Sequence, residues 1–166
     1  APRASHSCCW HDWLPIRAWQ YNFFDEPARF FYIESSMYGL PFDGYHAYVA
    51  DSATMQIKVG GLFQVVDARG PKMNRGETVT MFNDMCLLAP TTLISPSIRW
   101  EEIDSVTVRG FFTNQGNTVS AVLTFDPSGA LKDFVSNDRY LSEDGKTYLS
   151  YPWSTPTQEY GEFGGR

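Results

Sequence analysis

Cysteine is scarce and irregularly placed in this sequence: three residues, with Cys8 and Cys9 adjacent and Cys86 far away. An odd number without regular spacing does not make a disulfide framework, and it fits a reducing compartment. Charge is also scarce, at 19% of residues, with a net charge of −6 and no lysine or arginine cluster. That balance excludes an ordinary phosphate-binding nucleic-acid surface. No run reaches the roughly 18 apolar residues of a membrane span. No basic segment followed by an apolar one opens the chain, so no export signal is visible and a cytoplasmic location is favoured. The motifs Gly-x-Ser-x-Gly, His-Glu-x-x-His and the phosphate loop are all missing. An esterase, zinc peptidase or kinase would therefore need another arrangement. Internal repeats and low-complexity tracts are absent too. No cofactor and no metal are expected. Ala1 in place of methionine and a Gly-Gly-Arg ending leave room for the natural chain to continue past either end.

What is abundant is aromatic side chain, 16% of the 166 residues, enough chain for one sizeable core. The segment from Ala53 to Ile94 organises the rest. Met55, Ile57 and Val59 alternate with Thr54, Gln56 and Lys58, the period of a strand with one buried face. Gly60-Gly61 and the run Leu62 to Val66 complete a hairpin. Asp67 to Pro71 breaks the sheet, and Asn74 with Glu77 predicts a capping-box-like helix start. Along that helix Val79, Phe82 and Cys86 form one apolar stripe and Met81, Met85 and Leu88 another.

Residues 1–27 read as a partly ordered N-terminal segment, with a short helix predicted over Ile16–Phe24. From 28 to 166 a single domain follows. Strands are predicted at Ala28–Tyr38 and Tyr45–Ala50 before the hairpin, and a helical turn at Thr91–Ile94 after the helix. Strands then run from Ile98, Val106, Val119, Leu131, Lys146 and Trp153, separated by turns such as Asp126-Pro127-Ser128-Gly129. Gly110 weakens the strand at Val106–Phe112 and is expected to mark a bend or bulge. The expected class is α+β, mainly β: one curved antiparallel sheet, a half-barrel, wrapped around one main helix.

Several segments resemble a family of uncharacterised bacterial proteins, a domain of unknown function. They include Gly39-Leu40-Pro41, Val65 to Pro71, Glu77 to Thr80, Phe82 to Met85, Leu88-Ala89-Pro90, Arg99-Trp100-Glu101, Phe134-Val135-Ser136, Asp138-Arg139 and Trp153 to Pro156. The likeness covers about Ala28 to Arg166. The order of elements in turn resembles the LolA/LolB lipoprotein-carrier type of half-barrel. That resemblance implies a hydrophobic concave cavity and binding of acyl chains. Those carriers are exported, which this chain shows no signal for. The family is longer at its C-terminal end, so further strands are expected beyond Arg166. A sheet cut short exposes an edge, which makes a homodimer an expected partner arrangement.

Candidate site residues fall into four groups. The aromatics and methionines Tyr32, Met37, Met55, Phe63, Met81, Met85, Trp100, Phe111, Phe134 and Trp153 are the candidate lining for a hydrophobic small molecule or lipid; plain core is the competing reading. Glu77, Thr80 and Asp84 share a helical face and read first as solvated. Asn83 and Asp84 belong to the family likeness, and Glu77, Asn83, Asp84, Asp138 and Arg139 are the polar candidates. Asp138 and Arg139 are expected to pair with Arg99, Glu101 or Glu102, and Asp67 with Arg69. His46, with Asp43 and Asp51 near in sequence, is the acid–base candidate. His6, Cys8, Cys9 and His11 carry ligand chemistry for zinc, but adjacent cysteines chelate one ion badly, and a plain terminal segment is preferred.

The leading expectation is non-enzymatic binding or carriage of a hydrophobic ligand on the concave face of the sheet. The alternatives are a small enzyme using a His/Asp pair on an apolar substrate, and an interaction module that dimerises through its sheet edge.

Overall fold

The computed structural model describes residues 14–142, 146–158 and 160–161. The chain is α+β and mainly β. Five strands come first: β1 (Ile16–Phe23), β2 (Ala28–Met37), β3 (Leu40–Val49), β4 (Ser52–Val59) and β5 (Phe63–Arg69). They form an antiparallel meander in chain order, sheet 1. Helix α1 (Pro71–Leu88) and a 3-10 turn (Pro90–Ile94) follow. Then come β6 (Ile98–Asp104), β7 (Thr107–Asn114), β8 (Asn117–Phe125), β9 (Leu131–Ser136), β10 (Tyr140–Leu141), β11 (Leu149–Ser150) and β12 (Trp153–Ser154). Sheet 2 has the order β12-β9-β8-β7-β6, and β10 pairs with β11 separately.

The expected single curved sheet is thus two five-stranded sheets, and neither is strongly curled. Hairpins extend each meander only by adding a neighbour. The link between β5 and β6 is a helix, which carries the chain from one sheet to the other without pairing them. Helix α1 packs against both. Tyr48 and Ala53 from sheet 1, and Phe112, Val119, Ala121, Leu123 and Phe134 from sheet 2, form the core with Val79, Met81, Phe82 and Met85 of the helix.

Ile16–Phe23 is a strand, not the expected helix. Trp19, Tyr21 and Phe23 alternate with Ala18, Gln20 and Asn22, and the whole strand pairs with β2 in unbroken register. The helix begins earlier than expected, at Pro71, after Gly70 at φ 104°. Asn74 lies inside it, and its side-chain oxygen accepts from the Ala53 backbone N–H at 2.9 Å. Gly110 is neither bend nor bulge, because it keeps its place opposite Trp100 and Ala121. A Cβ there would lie 2.7 Å from the Phe82 ring and 2.7 Å from the Trp100 ring, so its lack of a side chain is what lets both rings close over β7. The register of that sheet shifts instead between Glu102 and Asp104 and between Thr124 and Phe125.

Three hydroxyl and amide groups tie the layers together. Thr78 Oγ1 donates to the Asn74 carbonyl at 2.8 Å, so its single proton is spent there. Tyr48 Oη therefore donates to Thr78 Oγ1, at 2.8 Å, and accepts from Asn114 Nδ2 at 2.7 Å. Sheet 1, the helix and sheet 2 are joined in one relay.

Candidate functional site

Cross-strand partners share a face, so the register of sheet 1 orders its inner side chains into rows. Asn22, Arg29, Tyr48 and Ala53 make one row. Gln20, Phe31, His46, Met55 and Ala68 make the next. Beyond them come Ala18, Ile33, Gly44, Ile57 and Val66, then Ile16, Ser35, Phe42 and Val59. Helix α1 contacts the first row: Asp84 meets Asn22 and Arg29, Glu77 meets Arg29, Thr78 meets Tyr48, and Asn74 meets Ala53. The helix therefore runs across the strands at one end of the sheet.

A charged cluster marks that crossing. Arg29 Nη1 donates to Glu77 Oε2 at 3.1 Å and Arg29 Nε to Asp84 Oδ2 at 3.0 Å. Asp84 also accepts from Gln20 at 2.8 Å and Asn22 at 3.1 Å. His46 Nδ1 lies 3.7 Å from Glu77 Oε1, long for a hydrogen bond and close enough for electrostatic attraction. Glu77 and Asp84 thus face charged partners across a buried layer, where the helical period had suggested a solvated face. The acid beside His46 is Glu77; Asp43 and Asp51 form no ion pair with it.

Burial is the largest influence on the Glu77 carboxyl and acts upward, but His46, Arg29 and Arg139 together hold it below the usual carboxylate range. Burial pushes Asp84 up, against the pull of Arg29. Arg139 enters from the link between β9 and β10: it donates to the Thr80 hydroxyl and stacks 3.9 Å over the Trp153 ring. Burial lowers its pKa, opposed by the charge of Glu77. Among the described residues no carboxylate lies within ion-pairing distance of Arg139. Asn83, 5% exposed, donates Nδ2 to Thr155 Oγ1 at 3.0 Å. Its Oδ1 is buried without a partner, and so is Trp153 Nε1.

Asp138 sits apart from this cluster. It pairs with Arg75 at 2.7 Å and accepts from the Ser120 backbone N–H at 2.7 Å, so neither it nor Arg139 meets the expected Arg99, Glu101 or Glu102. Arg99 pairs instead with Glu101, and Asp67 pairs with Arg69 at 2.9 Å on the surface, as expected.

The apolar candidates do not converge. Met81, Met85 and Phe134 are core, and Trp100 covers Phe82. Trp153 lies under Arg139, and Phe111 lies under Arg99 on the outer side of sheet 2. Tyr32 stacks with Trp19 on the outer side of sheet 1, and Met37 and Phe63 are exposed. Of the set, Met55 stands on the inner face of sheet 1, and Met37 and Phe63 reach that face only at its exposed far end.

That inner face is where apolar surface stays open. Phe31, Ile33, Phe42, Met55, Ile57, Val59 and Val66 are half-buried and lie outside the core cluster. The sequence signal for them was available: alternation already put Phe31 and Ile33 on one side of β2, with Arg29 at its end. A cleft of about 590 Å³ opens at the far end of β1–β3 from the charges; Arg17, Tyr32, Glu34 and Asp43 of the outer side make up much of its wall, and Ile16, Ser35 and Phe42 join it from the inner side. A second, of about 270 Å³, lies between the β1–β2 turn and the 3-10 turn, against Met85 and Phe112.

Among the described residues no group of three His, Cys, Asp or Glu side chains is placed to hold a metal ion. The cluster of His6, Cys8, Cys9 and His11 lies outside the described residues. Among the described residues no helix is long and apolar enough to cross a membrane.

The chain belongs to a family of unknown function (DUF6544), whose model matches residues 10–166. No curated protein and no solved structure matches it.

Proposed function

We propose that this protein binds or carries, without turning it over, a hydrophobic ligand such as an acyl chain, laid along the inner face of sheet 1. One observation carries the reading: the helix covers one end of that face and leaves two further rows of apolar side chains uncovered. From His46 to Phe42 the exposed strip runs four residues along the strand, about 14 Å at the rise of an antiparallel strand. It is flanked by charge at one end. A floor of half-buried apolar side chains with polar groups at one edge suits an amphipathic molecule. The order of elements, which resembles carriers of the LolA/LolB type, adds support, although two sheets, neither strongly curled, stand where those carriers have one curved sheet.

Mass spectrometry of the purified, denatured protein is expected to find co-purified lipid, and an environment-sensitive dye is expected to bind saturably. Phe42→Asp and Ile57→Asp place charge on the floor and should abolish dye binding with the fold retained. A protein with neither lipid nor saturable apolar binding refutes the reading.

A second reading rests on the His46–Glu77 contact. The imidazole stands in the row next to the apolar floor, with an acid behind it, the arrangement of a general base for an apolar substrate. If turnover of any apolar ester or enol substrate is detected and survives His46→Ala, this version fails.

A further inference from the structure

Two unsatisfied atoms and one cation that meets no carboxylate among the described residues lie beside helix α1. Asn83 Oδ1 and Trp153 Nε1 are both buried without partners. Thr155 accepts from Asn83, Arg139 stacks on Trp153, and Arg139 also reaches Thr80, one turn before Asn83 on the helix. A buried polar atom left unpaired is costly, and native folds leave few of them. Here the Trp153 indole lies under a guanidinium whose planar fork of donors matches a carboxylate, and Asn83 follows by one helical turn the Thr80 hydroxyl that the same guanidinium reaches. The indole N–H is a further donor. The amide of Asn83 offers an acceptor as drawn and a donor after a 180° rotation, which its bond to the Thr155 hydroxyl permits equally well.

We propose that Arg139, Trp153 and Asn83 form a head-group site for a single-chain aliphatic carboxylate. The proposal rests on the apolar-binding reading above and extends it. The charged cluster limits what the head group can be. Arg29 and Arg139 formally balance Glu77 and Asp84 before any ligand enters. A monoanion adds one charge, next to a guanidinium that pairs with no carboxylate among the described residues. A phosphate dianion would add surplus negative charge near Glu77 and Asp84. Opening the site requires Arg139 to leave the Trp153 ring and the Thr80 hydroxyl, an exchange of a neutral acceptor for a charged one.

Titrations of the full chain with dodecanoate, dodecanol and dodecyl phosphate hold the tail constant and vary the head. Dodecanoate is expected to bind at least about tenfold tighter than dodecanol, the scale of one charge-assisted hydrogen bond. Arg139→Gln should erase that preference. Should Arg139→Gln fail to fold, Arg139→Lys, which keeps the charge but not the fork, is expected to lower the preference several-fold. In an amide-proton NMR spectrum the Trp153 indole resonance, identified with Trp153→Phe, should move on adding dodecanoate. Equal binding of dodecanoate and dodecanol overturns the head-group site while the apolar groove stands. Tighter binding of dodecyl phosphate overturns the choice of a monoanion. An unmoved indole signal during carboxylate binding means that internal water alone satisfies these atoms, and overturns the site. If none of the three probes binds, the groove and the head-group site both fall.

Discussion

Replacing Arg29 with methionine tests how far the cluster between helix and sheet is removed from water. The Arg29 side chain is 9% exposed and Glu77 is 4% exposed, so the pair is desolvated on both sides. Methionine keeps the apolar stem and deletes the charge. Asp84 retains Gln20 and Asn22 as donors, so it is the better placed of the two carboxylates to survive the loss. Glu77 keeps only the distant His46 contact at 3.7 Å and the charge of Arg139. Leaving one partner of a buried pair uncompensated costs about 3–5 kcal/mol, against a total of about 5–15 kcal/mol for a typical domain. With a urea slope of about 2 kcal/mol/M the midpoint should fall by about 2 M. The pH dependence carries a second signature. In the parent protein Glu77 is held below its ordinary value, so its contribution is present above the unfolded pKa and is lost as pH falls through the folded one. In Arg29→Met burial acts on Glu77 with its main cation gone, which raises the folded pKa, so protonation now favours the fold. The gap between the two proteins should therefore narrow as pH falls from 7 to about 4. Adding Glu77→Gln to Arg29→Met should recover part of the loss at neutral pH. A cost under about 1 kcal/mol, independent of pH, would refute the claim that this cluster is desolvated.

Three further substitutions or probes read other parts of the fold. Gly110→Ala places a Cβ 2.7 Å from Phe82, which is fully buried, and from Trp100, which is 36% exposed and can yield, so a loss of about 1–3 kcal/mol is expected in thermal melts. Tyr48→Phe breaks the relay between the layers; Asn114 keeps the Ala50 carbonyl at 2.8 Å, so the cost should be about 1–3 kcal/mol, measured by urea denaturation. Burial pushes the Cys86 thiol up to about 12, so a maleimide at pH 8 should leave Cys86 unlabelled in the native protein and label it at the rate of unfolding, read by peptide mass spectrometry.

How much of this could be read from the residues depended on the range of the interaction. Turn chemistry acts over four positions, and it was legible. Gly60 and Gly61, at φ 62° and 68°, close the β4–β5 hairpin, and Asp126 to Gly129 folds through the Asp126 side chain. The strand at Ile16–Phe23 was misread although its polar and aromatic residues alternate, because its short length and the following Asp25-Glu26-Pro27 resemble a helix end. Glu77 and Asp84 were misread for a different reason. A polar stripe on a helix reads as solvent-facing unless its counter-charges are known, and Arg29 lies 48 and 55 positions away. One clue was present: Arg29 shares the inner side of β2 with Phe31 and Ile33, and a cation on an apolar face needs a partner. The division into two sheets had no local signature, since it follows from β5 and β6 failing to pair.

An apolar core would hold this helix about as well as the buried ions do, since replacing such ions by packed hydrophobic groups is often neutral or stabilising. What ions add is position. Glu77 and Asp84 are seven residues apart, about 10 Å along the helix axis, and both bond the same guanidinium. Sliding the helix along its axis breaks one of the two bonds, and tipping it onto Ile33 and Ile57 would carry two carboxylates onto apolar side chains. A helix with leucines at those positions would have no such restraint and would gain by covering the open rows. The triple variant Arg29→Met/Glu77→Leu/Asp84→Leu is therefore expected to stay folded, with stability within about 2 kcal/mol of the parent, and to lose saturable dye binding. Retained dye binding in a stable triple variant would mean that the ions do not hold the groove open.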